Sequence, residues 1–147
     1  MLVGVNLLCL TGFVEAEHLP WIERIKALGY DGVEIPVLRG NAEHYAWLGR
    51  ELDRIGLRRT TTPVIPSLHA NPVSQDPEFR AAGKQHLDWA LDCAIALGAE
   101  SIGGPLHAPI GHFTGFGPTE DELARGAEGQ ENRRVPTSDQ AQIQYVS

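Results

Sequence analysis

Apolar residues recur with two different periods along this chain. It opens with LVGVNLLCL, a short run that is apolar almost throughout and predicts a buried strand over about Leu2 to Leu8. From His18 the period lengthens. Leu19, Ile22, Ile25 and Leu28 recur every three residues as one core-facing stripe, with Glu23, Arg24 and Lys26 on the wet side of a helix. Gly32 to Ile35 reads as a second strand, stopped by Pro36. Asn41 can cap a second helix whose stripe is Tyr45, Leu48, Leu52 and Ile55. A third strand spans about Leu57 to Val64, with Thr60 to Thr62 as ordinary β-branched strand material. Asp76-Pro77 then starts the longest helix, to Leu97, with Phe79, Leu87, Ala90, Leu91, Ala94 and Ile95 on its inner face. A fourth strand covers about Ser101 to Pro105, and Thr119 with Glu122 forms a capping box for a further helix.

Three of these helices end in the same way. Leu28-Gly29, Ile55-Gly56 and Leu97-Gly98 each pass at once into a short apolar strand, and glycine at that place takes positive φ without a Cβ penalty. Strands and helices alternating at this length imply a parallel sheet with right-handed crossovers. The fold class is α/β, and four βα units are half of a closed eight-unit barrel. Residues 1–129 form this half. From Gly126 the pattern weakens, and 130–147 reads as an unpatterned, weakly ordered tail with a helix-breaking Pro136 and many polar amides. So abrupt a change suggests an interrupted reading frame or an early stop in a longer gene. A half barrel of this kind would leave strands one and four as unpaired edges and an apolar inner face uncovered, so self-association through the open edges is expected.

Composition narrows the function. A chain of 147 residues, 42% hydrophobic, can bury a real core. No apolar run approaches the roughly 20 residues of a membrane span, and the N-terminus lacks the basic flank and cleavage site of a signal peptide. A net charge of −7 disfavours nucleic acid and anionic membranes as partners. Two cysteines, Cys9 at a strand end and Cys93 inside a helix, make no disulfide framework and point to a reducing cytoplasm.

Candidate chemistry collects at the carboxyl ends of the strands, where parallel barrels bind ligands. That edge gathers Asn6 and Cys9, Glu34, His69, and His107 with His112. Glu34 lies between Val33 and Ile35 and so faces away from both; it is either a carboxylate in the barrel mouth or a solvated strand-end acid. His69 and His107 suit metal or hydroxyl contacts, or are water-exposed loop histidines. His107 follows Gly103-Gly104-Pro105 directly, a stretch that is either a close backbone approach to a ligand or a tight barrel corner. His18, His44 and His86 lie on helices and read as plain surface residues. Phosphate-loop, nucleophile-elbow, zincin and paired CxxC motifs are absent from the sequence.

LGYDGVEIP, the stretch from Asn71 to Phe113 and TEDELARGAEG together resemble the sugar phosphate isomerase/epimerase family of xylose isomerase-like TIM barrels, ketose 3-epimerase type. Within Asn71 to Phe113 the Asn-Pro, the Asp-Pro helix start, the Leu-Gly-Ala-Glu junction and the Gly-Pro-Leu loop fall in order. The resemblance implies a parallel (βα)4 half of a TIM (β/α)8 barrel. It also implies a divalent metal, Mn²⁺, Co²⁺ or Mg²⁺, and proton exchange next to a ketose carbonyl through an enediolate. The family's metal set, two Glu, one Asp and one His, comes from the second barrel half. This chain is therefore expected to bind no metal and to catalyse nothing alone, and its role falls to substrate-binding residues Asn6, Glu34, His69 and His107 and a small-molecule sugar. Two alternatives stay open: a metal-dependent endonuclease-like barrel using His69 and His107, opposed by the acidic balance, and a non-catalytic binding fragment.

Overall fold

The two periods read along the chain become alternating strands and helices in the computed structural model, which describes residues 1–131 and 144–146. The elements are β1 (Gly4–Asn6), α1 (Leu19–Ala27), β2 (Gly32–Val37), α2 (Ala42–Ile55), β3 (Arg58–Pro63), α3 (Pro77–Leu97), β4 (Ser101–Gly103), α4 (Glu120–Glu131) and β5 (Gln144–Val146). All strands pair in parallel, in the order β1-β2-β3-β4-β5. The architecture is the parallel (βα)4 half of a TIM barrel. The predicted caps are in place: Asn41 Oδ1 accepts the His44 N–H at 3.0 Å, and Asp76 Oδ1 accepts that of Glu78 at 2.8 Å. The Thr119–Glu122 box is formed in both directions. Gly29, Gly56 and Gly98 all take positive φ, at 91°, 79° and 69°.

Several boundaries differ from the sequence reading. β1 ends at Asn6 because the Asn6 side chain accepts the Leu8 N–H at 2.8 Å and turns the chain into a 3-10 turn over Leu7–Cys9. β2 runs through Pro36 to Val37, since the ladder to β1 stops at Glu34 and leaves no strand on that side of Pro36. The buried face of α3 is Leu87, Ala90, Ala94 and Leu97 with Cys93, whereas Ile95 points outward; a 3-4-3 spacing places Ile95 off that stripe. Leu28 is exposed because α1 ends one residue earlier. Of the stretch expected to be unpatterned, α4 extends to Glu131 and Gln144–Val146 add a strand beside β4. Residues 132–143 and 147 lie outside the described residues. β4 is therefore not the open edge that four units imply. Among the described residues, β1 is unpaired on its outer side.

The core lies between the sheet's outer face and α1–α3. Val33, Ile35, Ile102 and Thr61 from the strands meet Ile22, Leu48, Leu52 and Leu97 from the helices, all buried. Burial of this apolar area is the main favourable term, at about 25 cal/mol per Å². The opposite, concave face is uncovered, with exposed Leu2 and Val3 at its amino end. Its registered rows are Gly4, Gly32 and Arg58, then Asn6, Glu34 and Thr60. Barrel interiors are ordinarily filled by bulky branched side chains; these rows hold glycine and polar groups, which water can solvate. Among the described residues no helix is long and apolar enough to cross a membrane.

α2 and α3 pack closely because Gly49 has no side chain. A β-carbon built there would lie 2.6 Å from the Leu97 carbonyl oxygen, and backbone cannot swing aside. Gly49→Ala is expected to lower stability by on the order of 2 kcal/mol, read from the urea midpoint; an unchanged midpoint would show that the two helices separate freely.

Candidate functional site

Alternation along β1 and β2 sets the site. Val33 and Ile35 point into the core, so Glu34 turns to the concave face, beside Asn6 in register on β1. Asn6 Nδ2 donates to Glu34 Oε2 at 2.5 Å. The Asn6 amide is thus held at both ends, its oxygen on the Leu8 N–H and its nitrogen on the carboxylate. The other oxygen, Glu34 Oε1, looks across to β4, where a β-carbon on Gly103 would lie 4.0 Å away. A β-carbon there would make only ordinary contact with the carboxylate. Gly104, at φ 135°, passes so close to β3 that a β-carbon would meet the Pro63 carbonyl oxygen at 2.5 Å. Gly104 is therefore a tight corner, and Gly103 faces open space beside Glu34.

The pair lies in a trough of about 390 Å³ along the concave face. Its lower end is closed by an ion pair: Arg58 Nε donates to Glu100 Oε1 at 2.7 Å, and Nη2 donates to Oε2. Backbone bonds tie the strand entrances beside it, from Asp31 N–H to the Val3 carbonyl and from Arg58 N–H to the Asp31 carbonyl. The Arg58 hydrogen bonds, with a further Coulombic pull from Arg58 and Arg59, hold the Glu100 carboxyl below the usual carboxylate range.

His69 and His107 are not brought to this pair. His69 sits exposed in the turn Leu68–Ala70, its ring edge-on to Phe79 at 4.7 Å. His107 is exposed on the loop after β4. That loop is fixed to the loop after β3 by a parallel bridge of Ile65 with Pro109 and by the Ile110 N–H on the Ile65 carbonyl at 3.2 Å. Among the described residues no three His, Cys, Asp or Glu side chains converge to hold a metal ion. One carboxylate, one carboxamide and two separate histidines do not fit a divalent-metal shell, which needs several converging oxygen or nitrogen donors.

Three histidines read as plain surface residues are engaged. His18 Nδ1 accepts the Glu15 N–H at 3.0 Å, His86 Nε2 bonds the Val64 carbonyl at 2.8 Å, and His44 stacks on Phe13 at 4.3 Å. Helical spacing alone gave no sign of these contacts, because each partner lies in a loop. Both cysteines are free, and burial pushes the Cys93 thiol up to about 11.

No protein-family model matches the chain, and no curated protein does. Solved structures do. A D-psicose 3-epimerase determined in the presence of D-fructose is 27% identical with a TM-score of 0.67, covering 88% of this chain and 46% of that one. A D-allulose 3-epimerase from Methylomonas sp. in complex with D-allulose is 22% identical with a TM-score of 0.72, over 88% and 44%. An L-ribulose 3-epimerase is 21% identical with a TM-score of 0.76, over 88% and 43%. The last two carry the fold alone. The chain spans less than half the length of each.

The Arg58–Glu100 pair makes a pH prediction. A carboxyl depressed in the folded state stabilises above its unfolded value, about 4.3, and that contribution is lost as pH falls further through the folded value. Glu100→Gln is expected to show a shallower loss of stability below about pH 4.3, followed by urea unfolding at several pH values. Equal acid slopes in both proteins would mean the pair is not linked to folding.

Proposed function

We propose, from the half barrel this chain shares with solved ketose 3-epimerases, that it forms the sugar-binding wall of a sugar isomerase/epimerase acting on a ketose. The observation that carries the reading is the Asn6–Glu34 pair, at the carboxyl end of β1 and turned into the trough on the concave face. Barrels of this class place ligands there. Glu34 Oε1 is a charged acceptor for a sugar hydroxyl, and charge-assisted hydrogen bonds are the stronger kind. Asn6, bonded to the other oxygen, keeps the carboxylate turned toward the trough and leaves one amide hydrogen for a second hydroxyl. Gly103, beside Glu34 Oε1, leaves room there for a polyol. His69 and His107, exposed on neighbouring loops, are the outer contacts in this reading.

Epimerisation at the carbon beside a ketose carbonyl needs one group to remove a proton and one to return it, through an enediolate. Among the described residues, Glu34 is the one carboxylate lining the trough away from the strand entrances, which supports a chain that binds sugar alone and does not turn it over. The divalent metal and its carboxylate set belong, in this reading, to a complementary barrel half. The outer side of β1, with exposed Leu2 and Val3 beside it, is the edge through which the chain associates. The free thiols support a reducing cytoplasm, and the net charge of −7 supports a neutral polyol over nucleic acid. An endonuclease-like role for His69 and His107 has no support in the geometry, since no third ligand joins them among the described residues.

Calorimetric titration with D-allulose tests the reading. Saturable, millimolar binding is expected, with Glu34→Gln weakening it at least about tenfold, the range for a hydrogen bond to a charged group. No binding by the folded chain, or equal binding by the variant, would refute it.

A further inference from the structure

Side-chain donors on the helices reach the carbonyls that follow β2 and β3. Tyr45, on α2 and 1% exposed, points its hydroxyl at the Arg39 carbonyl at 2.9 Å and the Pro36 carbonyl at 3.3 Å. Trp89, on α3, donates its indole N–H to the Gly40 carbonyl at 3.1 Å. Its neighbour His86 bonds the Val64 carbonyl after β3, so that nitrogen carries the proton. The Gly40 bend also receives Phe13 from the loop after β1: a β-carbon on Gly40 would meet the Phe13 ring at 2.9 Å. Phe13 lies edge-on to Tyr45 at 6.5 Å and carries the Arg39 guanidinium over its face at 4.6 Å. These contacts converge on the end of β2 and the bend that follows it, close after Glu34.

We infer that Tyr45 and Trp89 are positioning residues: together they clamp residues 36–40, the end of β2 and the bend after it, and so fix the strand from which Glu34 reaches the trough. This inference rests on the sugar-binding reading for its functional consequence, though not for its structural one. Burial raises the Tyr45 phenol further above its ordinary value, so the hydroxyl stays a donor at every physiological pH. Phenylalanine fills the same core space in its place and removes only the donor. A site held by such supporting bonds binds without first ordering its loop.

The test uses the full chain with Tyr45→Phe and Trp89→Phe, and Ile25→Val as a core variant on α1, remote from the clamp. Amide hydrogen exchange is followed at residues 37–41 against core amides of α2, together with the Asn6 side-chain amide signal and D-allulose affinity. Each clamp variant is expected to speed exchange at 37–41 about tenfold beyond any change at the core amides, to shift the Asn6 signal, and to weaken D-allulose about five-fold, the equivalent of one ordinary hydrogen bond. Ile25→Val leaves all three unchanged relative to its core. Exchange at 37–41 that merely tracks the core amides overturns the clamp. Faster exchange with an unshifted Asn6 signal and unchanged affinity overturns its link to the site. If the unaltered chain does not bind D-allulose, the sugar-binding reading fails, and the exchange data with the Asn6 signal still decide the clamp.

Discussion

Because β1 to β5 all run in parallel, each must be reached by a crossover, and every carboxyl end emerges at the same edge of the sheet. The rest of the molecule depends on that constraint. It is met here by a helix between successive strands, and each of the first three helices gives way to the next strand at a glycine of positive φ. It also brings Asn6 and Glu34, 28 positions apart, into direct register. No local feature of either segment would pair them. The ladder between β1 and β2 does so, and a one-residue slip in it would turn Glu34 into the core and Val33 into the trough.

The two faces of the sheet are built for different surroundings. The outer face is apolar and sealed by α1–α3, with Gly49 against Leu97 setting how closely the helices pack. The inner face carries an ion pair at one end and a carboxylate–amide pair at the other. Chemistry on that face needs carboxylates from more than one strand end, which is why binding and turnover separate in the proposed function.

The order of elements was legible because the apolar period, the caps at Asn41, Asp76 and Thr119 and the glycine stops agree with one another. That Glu34 turns away from the core was legible for the same reason, since it alternates with Val33 and Ile35. What the sequence could not show depends on distant partners. The register that sorts Gly32, Glu34, Arg58 and Thr60 to one side belongs to the ladders and not to any one strand. Pro36 looked like a strand end, since nothing local reveals that the ladder to β1 has already stopped. His44, His86 and Trp89 meet loops far along the chain, and helical spacing assigns such residues to solvent by default. His69 and His107 share an edge with Glu34 but sit exposed on separate loops.

Placing the sugar contact at Glu34 and Asn6 is tested most directly by nuclear magnetic resonance of the labelled 147-residue chain during addition of D-allulose. If Glu34 is the contact, its side-chain carboxyl carbon and the Asn6 side-chain amide move together along one saturable curve, and signals from the outer face of α2 stay still. Signals that move elsewhere while these two remain fixed, or no movement at all in a folded chain, would contradict a sugar site on this half barrel.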